Sequence, residues 1–466
     1  MKDGNKAKSR PPEFVIIGSG IAGLAAAETL RQRIPHSNIS MISEESHNFY
    51  SRPGLAYLLR GDIPERLLYV RTPEDLRALN INRINALVKE VVCDKQELVL
   101  ANGQRLRYDR LLLATGALAN PPSFPGGDLA GVVKLDGLDD TRHILKLARR
   151  RKPAVVVGGG ITALELAEGL NARGMKVHYF LRGDRYWADI LDEAESQIIM
   201  ERLRHEGIVI HTNTEIKEAT GKAGQLTGVE TKAGEHVPCQ VLAVAIGVRP
   251  RVDLAKAAGL TVDKGVVVNE YLETSKPKVY AAGDAAQVGA TPLDVLWPTA
   301  LDQGKIAGAN MAGGKVPYVK GTSCNVTMLA NLKVTIIGAV GTKKDKDKPK
   351  DDKAKPPDKV KDKDLVTIAR GDSESWRVAP TAWVLSDHDD VNRIRLFVGD
   401  KSIVGALVMG DQTWSRPLQR LITAKADITP IRAALTGDPA AGLTHLANFY
   451  ERWEQGLREA AHSSRL

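Results

Sequence analysis

The stretch "FVIIGSGIAGLAAAETL", Phe14 to Leu30, decides the fold class of this 466-residue chain. Its apolar, β-branched start predicts a buried strand, and its Ala/Leu-rich end predicts a helix. Glycines between them form a GxGxxG turn, which permits a tight bend and close approach of the backbone to a pyrophosphate. The helix N-terminus adds unpaired N–H groups and a favourable dipole for that anion. The stretch therefore predicts a dinucleotide-binding turn made of Gly18, Gly20, Ile21, Ala22 and Gly23.

The next predicted strand, "NISMISEE", supports this interpretation because it ends in acids, Glu44 and Glu45. Glu44 follows the turn by about twenty residues, the distance at which a carboxylate can accept both hydroxyls of a ribose. A glycine turn that only serves packing would not require an acid at this position.

A second copy of the pattern, "AVVVGGGITALELAEGL", runs from Ala154 to Leu170. The repeat predicts two nucleotide-binding Rossmann-type units. The candidate binding residues of the second turn are Gly158, Gly160, Ile161, Thr162 and Ala163, where Ala163 replaces the third glycine. Its next strand lies in "YFLRGDRYW", Tyr179 to Trp187, and ends at Leu181 and Arg182 instead of an acid.

Further strand ends frame the two units. "RLLLATGA" predicts a strand that ends at Ala114, Thr115 and Gly116, and "QVLAVAIG" closes the second unit near Gly247. "PKVYAAGDAA" predicts a late buried strand that ends at Gly283 and Asp284. A helix is predicted to start near Trp297, Pro298 and Thr299.

From residue 323 onward, short alternating segments predict a small antiparallel sheet followed by helices. The predicted fold is α/β, with two Rossmann-like three-layer domains and a small α+β C-terminal domain. The expected boundaries are a flexible N-terminus at 1–12, a first domain at 13–118 and 243–322, a second at 119–242, and a C-terminal domain at 323–466. Residues 343–364 are almost entirely lysine, aspartate and proline, so they cannot form a core and predict a disordered insertion or a docking element for an acidic partner.

Composition excludes several other classes. The net charge of +9 is modest for this length and gives little support to nucleic-acid binding. No apolar run approaches the roughly 20 residues that span a bilayer, and the N-terminus carries no secretory signal pattern. The three cysteines, Cys93, Cys239 and Cys324, fit no metal-ligand spacing, so no metal site is expected. A cytoplasmic location is expected, with peripheral association at a membrane left open.

The order of these motifs resembles the FAD- and NAD(P)-dependent pyridine nucleotide–disulfide oxidoreductase superfamily over residues 13 to 320. The resemblance implies FAD in the first unit and NAD(P)H in the second. It implies that Gly18, Gly20, Gly23, Glu44 and Asp284 contact the pyrophosphate, ribose and ribityl groups of FAD. No cysteine lies between Met1 and Val92, where relatives with a redox-active disulfide carry one, so disulfide reduction is not expected.

The segment "FYSRPGLAYLLRGD" is similar to one in the flavoprotein part of NAD(P)H nitrite reductases, and rubredoxin and ferredoxin reductases carry related segments. The resemblance implies that Arg52 and Pro53 lie along the flavin, although Arg52 could instead be a surface residue. The C-terminal domain resembles, more loosely, the one that follows the flavin domains of nitrite reductases. No cluster of cysteines for a siroheme or Fe–S domain is present, so the chain is expected to be at most an electron-input module.

The resemblance also assigns Glu165 as an acid near the nicotinamide and the flavin edge, with an exposed helix glutamate as the alternative. Relatives pair this acid with a lysine, but the segment here offers only Arg52 and Arg60. The helix after Trp297 would direct its positive end at the flavin, and Trp297 could pack on the ring or simply belong to the core.

NADP-specific relatives such as glutathione reductase carry an arginine at the strand end where Arg182 stands, with another beyond it. Arg182 and Arg185 could therefore clamp a 2′-phosphate, which favours NADPH, while NADH and the absence of any pyridine nucleotide remain open. The predicted function is an FAD-dependent NAD(P)H oxidoreductase that feeds an electron carrier or partner subunit, for example ferredoxin, rubredoxin or an Fe–S or heme protein. The alternatives are a flavoprotein subunit of a larger electron-transfer complex with a non-catalytic second site, and an NADH-responsive regulatory flavoprotein like apoptosis-inducing factor. A homo-oligomer is also left open.

Overall fold

A computed structural model describes residues 10–291, 293–341, 381–387, 391–437 and 439–463. The expected disordered insertion at 343–364 lies outside the described residues, as do residues 1–9 of the expected flexible N-terminus.

The strands are short and follow one another along the chain in this order: β1 Glu13–Ile17, β2 Asn38–Ser43, β3 Ile81–Asn85, β4 Val88–Val92, β5 Glu97–Leu100, β6 Arg105–Arg107, β7 Arg110–Leu113, β8 Ala117–Ala119, β9 Val132–Val133, β10 Pro153–Val157, β11 Lys176–Phe180, β12 Val209–His211, β13 Ile216–Lys222, β14 Gln225–Thr231, β15 His236–Pro238, β16 Val241–Val244, β17 Val248–Pro250, β18 Val266–Val268, β19 Val279–Ala281, β20 Ala286–Val288, β21 Cys324–Leu329, β22 Leu332–Gly338, β23 Thr381–Asp387, β24 Arg393–Val398 and β25 Ile403–Met409.

The α-helices, also in chain order, are α1 Ile21–Arg33, α2 Gly54–Arg60, α3 Pro73–Ala78, α4 Leu138–Leu147, α5 Ile161–Ala172, α6 Glu193–His205, α7 Asp253–Ala257, α8 Trp297–Met311, α9 Ser415–Thr423, α10 Arg432–Leu435 and α11 Pro439–Ser463.

The first domain is built on a parallel sheet with the order β19–β7–β1–β2–β3. Helices α1 and α8 cross in close contact beside it. Glycines make this crossing possible, because a Cβ on Gly304 would lie 2.3 Å from the carbonyl oxygen of Ala22, and one on Gly308 would lie 2.6 Å from that of Ala26. The two motifs at opposite ends of the first domain's sequence are thereby held together.

The second domain has its own parallel sheet, ordered β12–β11–β10–β16–β9, with α5 packed on β10, β11 and β16. Strand β16 pairs with β10 from Val241 to Val244. The predicted boundary at residue 243 cuts through this strand, and the structure moves it beyond Val244. The chain returns to the first domain at β17, which pairs antiparallel with β8. All four residues of β16 are buried, so its apolar run gave no sign of which sheet it joins.

The C-terminal domain is an antiparallel sheet ordered β21–β22–β25–β24–β23, followed by α9, α10 and α11. The sheet is followed by helices, as predicted, and Leu446 of the last one, α11, is fully buried against the sheet and α9. The structure confirms the predicted α/β class with two Rossmann-like domains and a smaller α+β domain.

Two of the contacts that attach the C-terminal domain to the second domain involve side chains of α6. In the first, Arg395 of β24 forms a two-point ion pair with Glu195 of α6, with Nε–Oε1 and Nη2–Oε2 distances of 2.9 Å. In the second, the β21–β22 turn inserts beside α6, where Arg202 donates to the carbonyl oxygen of Ala330 at 2.7 Å. Strand β21 is consequently held against the mouth of a cleft at the edge of the first domain's sheet.

Candidate functional site

A cleft made of two adjoining cavities runs along the carboxyl ends of the first sheet. The outer cavity has a volume of about 320 Å³ and lies beside the ends of β1 and β2. The inner cavity, of about 280 Å³, lies between α1, α2, α5, α8 and β21. Both are lined by Gly20, Arg52, Ala114, Gly116 and Asp284, so they form one continuous cleft. Ligands of open α/β sheets bind at the carboxyl ends of the strands, as here.

The first glycine turn lies where these cavities meet. Gly18 has a φ of +112°, and a Cβ there would lie 2.1 Å from the carbonyl oxygen of Ala114. A Cβ on Gly23 would lie 2.1 Å from the carbonyl oxygen of Gly18, whereas Gly20 has no atom within 4 Å of such a Cβ. Gly20 starts α1 without a side-chain cap. The open, uncapped helix start fits a pyrophosphate, because its N–H groups point into the cleft.

Glu44 lies in the outer cavity, and its side chain is half exposed. Its Oε1 is 2.7 Å from Nη1 of Arg251, a residue that sequence reasoning missed. The Arg251 backbone is fixed beside the β7 end, since its N–H donates to Gly116 and its carbonyl oxygen accepts from Thr115 Oγ1. Arg251 follows the "GVRP" segment that closes the second unit, so its position in the chain gave no indication of this pairing.

Arg52 lies at the junction of the two cavities. Its Nη2 is 2.6 Å from Oε1 of Glu45, and its Nη1 donates to the carbonyl oxygen of Asp136 at 2.5 Å. The guanidinium carbon lies 5.4 Å from the centre of the Tyr50 ring, and burial raises the pKa of Tyr50 to about 12. Glu45 also borders the outer cavity, but its carboxylate is engaged with Arg52 and Tyr50, so it acts as the group that positions Arg52.

The late strand delivers Gly283 and Asp284 to the cleft. A short 3-10 turn follows β19, and Gly283 has a φ of +76°. Its N–H donates to Oε1 of Gln303 at 2.8 Å, which ties the turn to α8. Asp284 lines both cavities, where a carboxylate can accept hydrogen bonds from a polyhydroxyl chain.

Helix α8 begins at the inner cavity, as predicted. Trp297 and Pro298 line that cavity, and the Trp297 ring centre is 6.0 Å from that of Phe49. Thr299, a further candidate cofactor contact at this helix start, does not line either cavity, and its hydroxyl donates to Oδ2 of Asp294 at 3.2 Å. The uncapped start of α8 directs a partial positive charge at the inner cavity.

The second glycine turn closes the other side of the inner cavity. Gly158 has a φ of +143°, and a Cβ there would lie 2.2 Å from the carbonyl oxygen of Ala245 and 2.9 Å from Cβ of Ala163. Ala163 therefore fits only because Gly158 has no side chain. Ile161 and Thr162 line the inner cavity, and a small cavity beside them is lined by Gly160, Thr162 and Gly247.

The strand end that lacks an acid is built around a buried leucine. Leu181 is only 1% exposed and belongs to the core of the second domain. Arg182 is exposed, and Arg185 is 3.3 Å from Asp184. Neither arginine lines the inner or outer cavity. Both arginines follow the end of β11, near the ion pair between Glu215 and Lys232. The pKa of Glu215 is lowered chiefly by Lys232 and weakly by Arg182.

Glu165 lies in the wall of the inner cavity and is half buried. Tyr57 and Arg60 of α2 line the same cavity. A second acid of α5, Glu168, also lines it and is buried, and sequence reasoning missed it. Its only sequence signal is its position three residues after Glu165, on the same face of the helix.

The family model for pyridine nucleotide-disulphide oxidoreductases matches residues 12–304. The chain belongs to this family.

No disulfide bond joins the described cysteines. Cys93, Cys239 and Cys324 are all free, and burial raises the pKa of each thiol. None of the three lines the inner or outer cavity. Within the described ranges, no cluster of metal-ligating side chains occurs, and no helix is long and apolar enough to cross a lipid bilayer.

Relatives in this family include electron-transfer reductases. The chain is 32% identical to an NADH oxidase of Methanocaldococcus jannaschii over 337 residues, which are 69% of this chain and 74% of that protein. It is 30% identical to a rubredoxin-NAD(+) reductase of Pseudomonas putida over 59% of this chain and 71% of that protein. A nitrite reductase [NAD(P)H] of Bacillus subtilis is 25% identical over 90% of this chain, and the match spans about half of that longer protein, 48%.

A solved structure has the same fold over almost the entire chain. The structure of a covalent putidaredoxin reductase–putidaredoxin complex superposes with a TM-score of 0.79, covers 94% of this chain and 99% of that chain, and is 23% identical. These matches confirm the predicted superfamily and an FAD-dependent NAD(P)H oxidoreductase, and the solved structure confirms the fold.

Proposed function

We propose that this family member is the electron-input reductase of a redox system, taking hydride from NADPH and delivering the electrons, by way of FAD, to an electron-carrier protein. The observation that carries the proposal is the continuous cleft, which joins the acid at the end of β2 to a second nucleotide turn on α5. A bound donor would enter from the second turn and meet the cofactor in the inner cavity. FAD supplies the ability to accept a hydride and to release electrons singly.

The first domain supplies the residues that would hold FAD. The uncapped α1 start at Gly20 would bind the pyrophosphate, Glu44 the ribose and Asp284 the ribityl hydroxyls. Arg52 would add a fixed positive charge near the pyrophosphate, since Glu45 and the Asp136 carbonyl hold its guanidinium in place. These contacts within the protein limit the motion of Arg52, which reduces the entropy cost of binding.

In the inner cavity, the chain's own groups orient the reactants and exclude water. The α8 start stabilises negative charge that arrives there, and Trp297 packed on Phe49 closes one wall. Glu165 places a carboxylate on the wall opposite, where the donor's nicotinamide would enter. Tyr57 and Arg60 line this cavity in the segment where relatives carry a lysine. Glu165 therefore faces a tyrosine and an arginine of this segment in place of a lysine.

The preference for NADPH rests on the end of β11. A buried leucine at position 181 removes the carboxylate that would bind two ribose hydroxyls and repel a 2′-phosphate. Arg182 is exposed, whereas Arg185 is partly exposed, with Nη1 3.3 Å from Asp184 and a buried Nε that has no hydrogen-bond partner among the described residues. These two guanidinium groups are therefore the candidate ligands of a 2′-phosphate. The relatives' names specify NADH, NAD(+) or NAD(P)H, so the donor of this chain needs a direct measurement.

The donor test compares Arg182→Met/Arg185→Met with wild type and with Arg204→Met, an exposed arginine on α6 of the same domain. We expect the double variant to bind NADPH more than tenfold more weakly while its affinity for NADH and that of the control stay unchanged. Unchanged NADPH affinity in the double variant would show that these arginines do not clamp a 2′-phosphate.

The reductase activity itself is tested by mixing the FAD-loaded protein anaerobically with NADH or NADPH and following the loss of the oxidised flavin band. Rapid loss with either nucleotide is expected. No loss with both would contradict the reductase and favour a subunit whose second site is non-catalytic. Slow loss with a long-lived charge-transfer band would favour an NADH-responsive regulatory flavoprotein.

The acceptor is proposed to be a small acidic carrier protein. The chain has a formal charge of +9, and Tyr57 and Val326, which line the inner cavity, are 40% and 60% exposed at its mouth. Exposed apolar groups at a cavity mouth are typical of transient docking sites, and a net positive charge favours an acidic partner. Reduction rates with a ferredoxin, a rubredoxin and a small dye should separate the candidates, and the carrier rates should fall with salt while the dye rate should not.

A further inference from the structure

Glu168 is a buried acid that the proposed electron transfer leaves without a role. It lies on α5 three residues after Glu165, is 5% exposed, and lines the inner cavity. Its Oε1 has no hydrogen-bond partner among the described residues. An acid that is buried in this way is costly unless a specific interaction compensates it.

The nearest cation compensates it only in part. Nη1 of Arg60 is 3.7 Å from Oε1 of Glu168, too far for a hydrogen bond. The other nitrogens of Arg60 are committed elsewhere, with Nε 3.1 Å from Oδ2 of Asp62 and Nη2 2.7 Å from Oδ1 of Asn331. Arg60 is therefore shared between two acids and an amide.

The remaining neighbours do not add positive charge. The backbone N–H of Asn331 stabilises the ionised carboxylate, while the carboxylates of Glu206 and Asp62 oppose it. Tyr179 of β11 lies on the remaining side, fully buried, with a hydroxyl that has no hydrogen-bond partner among the described residues. Burial is the largest effect, and it raises the pKa of Glu168 to about 7.

We propose that Glu168 is the proton-holding residue of the inner cavity: it binds one proton from solvent when the bound cofactor is reduced, with Arg60 setting the charge around it. This inference rests on the proposed binding of FAD in the cleft. Because Glu168 acts through the field of the cavity, it is a positioning residue for charge and not one that contacts the reacting atoms.

The balance of charge explains why a proton is taken up. Hydride transfer brings two electrons and one proton into the cleft, so one negative charge is added. That charge raises the proton affinity of a nearby carboxylate in a medium of low dielectric constant. One O–H bond of a solvent hydronium ion breaks, its electron pair remains on water, and a new O–H bond forms on Glu168.

The pH dependence follows with a definite sign. Below the pKa of the oxidised protein, Glu168 is protonated in both redox states and takes up nothing. Above it, the oxidised protein carries the carboxylate and the reduced protein carries the acid. Above about pH 7 the midpoint potential should therefore fall more steeply with rising pH. The added slope is up to about 30 mV per pH unit, the value for one extra proton taken up in a two-electron couple.

The test measures the midpoint potential of the FAD-loaded protein by dye-coupled photoreduction from pH 6 to 9, without any pyridine nucleotide. Wild type, Glu168→Gln and the control Glu201→Gln, an exposed acid on α6, are compared. We expect the extra slope in wild type and in the control, and its loss in Glu168→Gln. Equal slopes in wild type and Glu168→Gln would overturn the proposal.

A second measurement needs no variant. In wild type at pH 8, the infrared difference spectrum between the reduced and oxidised states should show a new carbonyl band of a protonated carboxylic acid. The absence of that band would overturn the proposal even if Glu168→Gln fails to fold. Failure of the protein to bind FAD, or to be reduced by NADH or NADPH, would instead contradict the proposed function, so the two failures are distinguishable.

Discussion

Replacing Arg395 with methionine should uncouple the C-terminal domain from the second domain. Its guanidinium is 3% exposed and forms two contacts of 2.9 Å with Glu195, whose side chain is fully buried. A third contact, from Nη2 to the carbonyl oxygen of Ile190, is 2.5 Å long. Methionine fills much of the same volume, so the main consequence is a buried carboxylate without its partner.

The expected cost can be worked from two directions. Two hydrogen bonds between charged groups contribute about 1.5–3 kcal/mol each. Breaking one side of a buried ion pair costs about 3–5 kcal/mol. Both lead to a loss of roughly 4 kcal/mol in the free energy of unfolding near neutral pH. Glu195 also caps the start of α6, so the loss should reach the helix as well as the domain contact.

The loss should depend on pH. Burial already raises the pKa of Glu195, and Arg395 opposes that rise. Without Arg395 the pKa of Glu195 rises further, so the folded variant takes up a proton that the unfolded chain does not hold at neutral pH. The destabilisation should therefore be smaller at pH 5.5 than at pH 8, by up to about 1.4 kcal/mol per pH unit.

Urea unfolding at pH 5.5 and pH 8, followed by far-UV circular dichroism and tryptophan fluorescence, measures the free energy of unfolding of wild type and Arg395→Met. Arg458→Met provides the matched control, because Arg458 lies in the same domain and its pair with Glu454 is 76% exposed on the arginine side. That control should change stability by less than about 1 kcal/mol. A loss below about 1 kcal/mol for Arg395→Met, or a loss equal at both pH values, would refute the reasoning.

Three further predictions concern the cleft and its supports. The pKa of Glu168 is about 7 in the folded protein, above its ordinary value of 4.5. Wild type should therefore lose roughly 3 kcal/mol of stability in total as pH rises from about 4.5 through 7. Glu168→Gln should lack this loss, which flattens the pH dependence of thermal stability. Gly304→Ala should destabilise the first domain by about 2 kcal/mol or more, because the added Cβ would collide with the Ala22 backbone. The resulting release of FAD at lower temperature is measured by flavin fluorescence during heating. The control Gly456→Ala, in open space on α11, should be neutral or slightly stabilising. Glu44→Leu should weaken FAD binding by about tenfold or more in titrations of the apoprotein. The control is Glu90→Leu, because Glu90 is an exposed acid of the same domain that lines neither cavity. Equal affinities of the two variants for FAD would rule out Glu44 as the ribose acceptor.

The fold and much of the cleft could be predicted because they depend on local signals. A Cβ on Gly18, Gly23 or Gly158 would lie only 2.1–2.2 Å from a backbone carbonyl oxygen, so only glycine fits at these three positions and their spacing in the sequence indicates the geometry of the turns. The late "AAGD" segment and the start of α8 were recognisable for the same reason. The boundary at residue 243 was wrong because a uniformly buried strand such as β16 does not indicate which parallel sheet it joins.

Side-chain partners across long separations were not predictable. Arg251 meets Glu44 across more than two hundred positions, and Arg395 meets Glu195 across two hundred. Each arginine stands in a segment that local patterning assigns to an ordinary strand or loop. Glu45, which the sequence also offers as a cofactor contact, lines the outer cavity, and its ion pair with Arg52 is visible only in the fold.

The two acids of α5 show most clearly what burial adds to a motif. Glu165 and Glu168 share one face of the helix, and a pattern of residue types cannot distinguish their roles. Burial is the largest cause of the raised pKa of Glu168. The C-terminal domain contributes as well, because its β21–β22 turn brings Asn331 to Arg60 and engages one nitrogen of that cation. A turn far along the chain thus contributes to the electrostatics of the cleft as well as forming part of its wall. Asn331→Ala frees one nitrogen of Arg60 to approach Glu168, so it should lower the pKa of Glu168. The steeper part of the curve of midpoint potential against pH should then move to lower pH. An unshifted curve would show that Arg60 and Glu168 are not coupled through this turn.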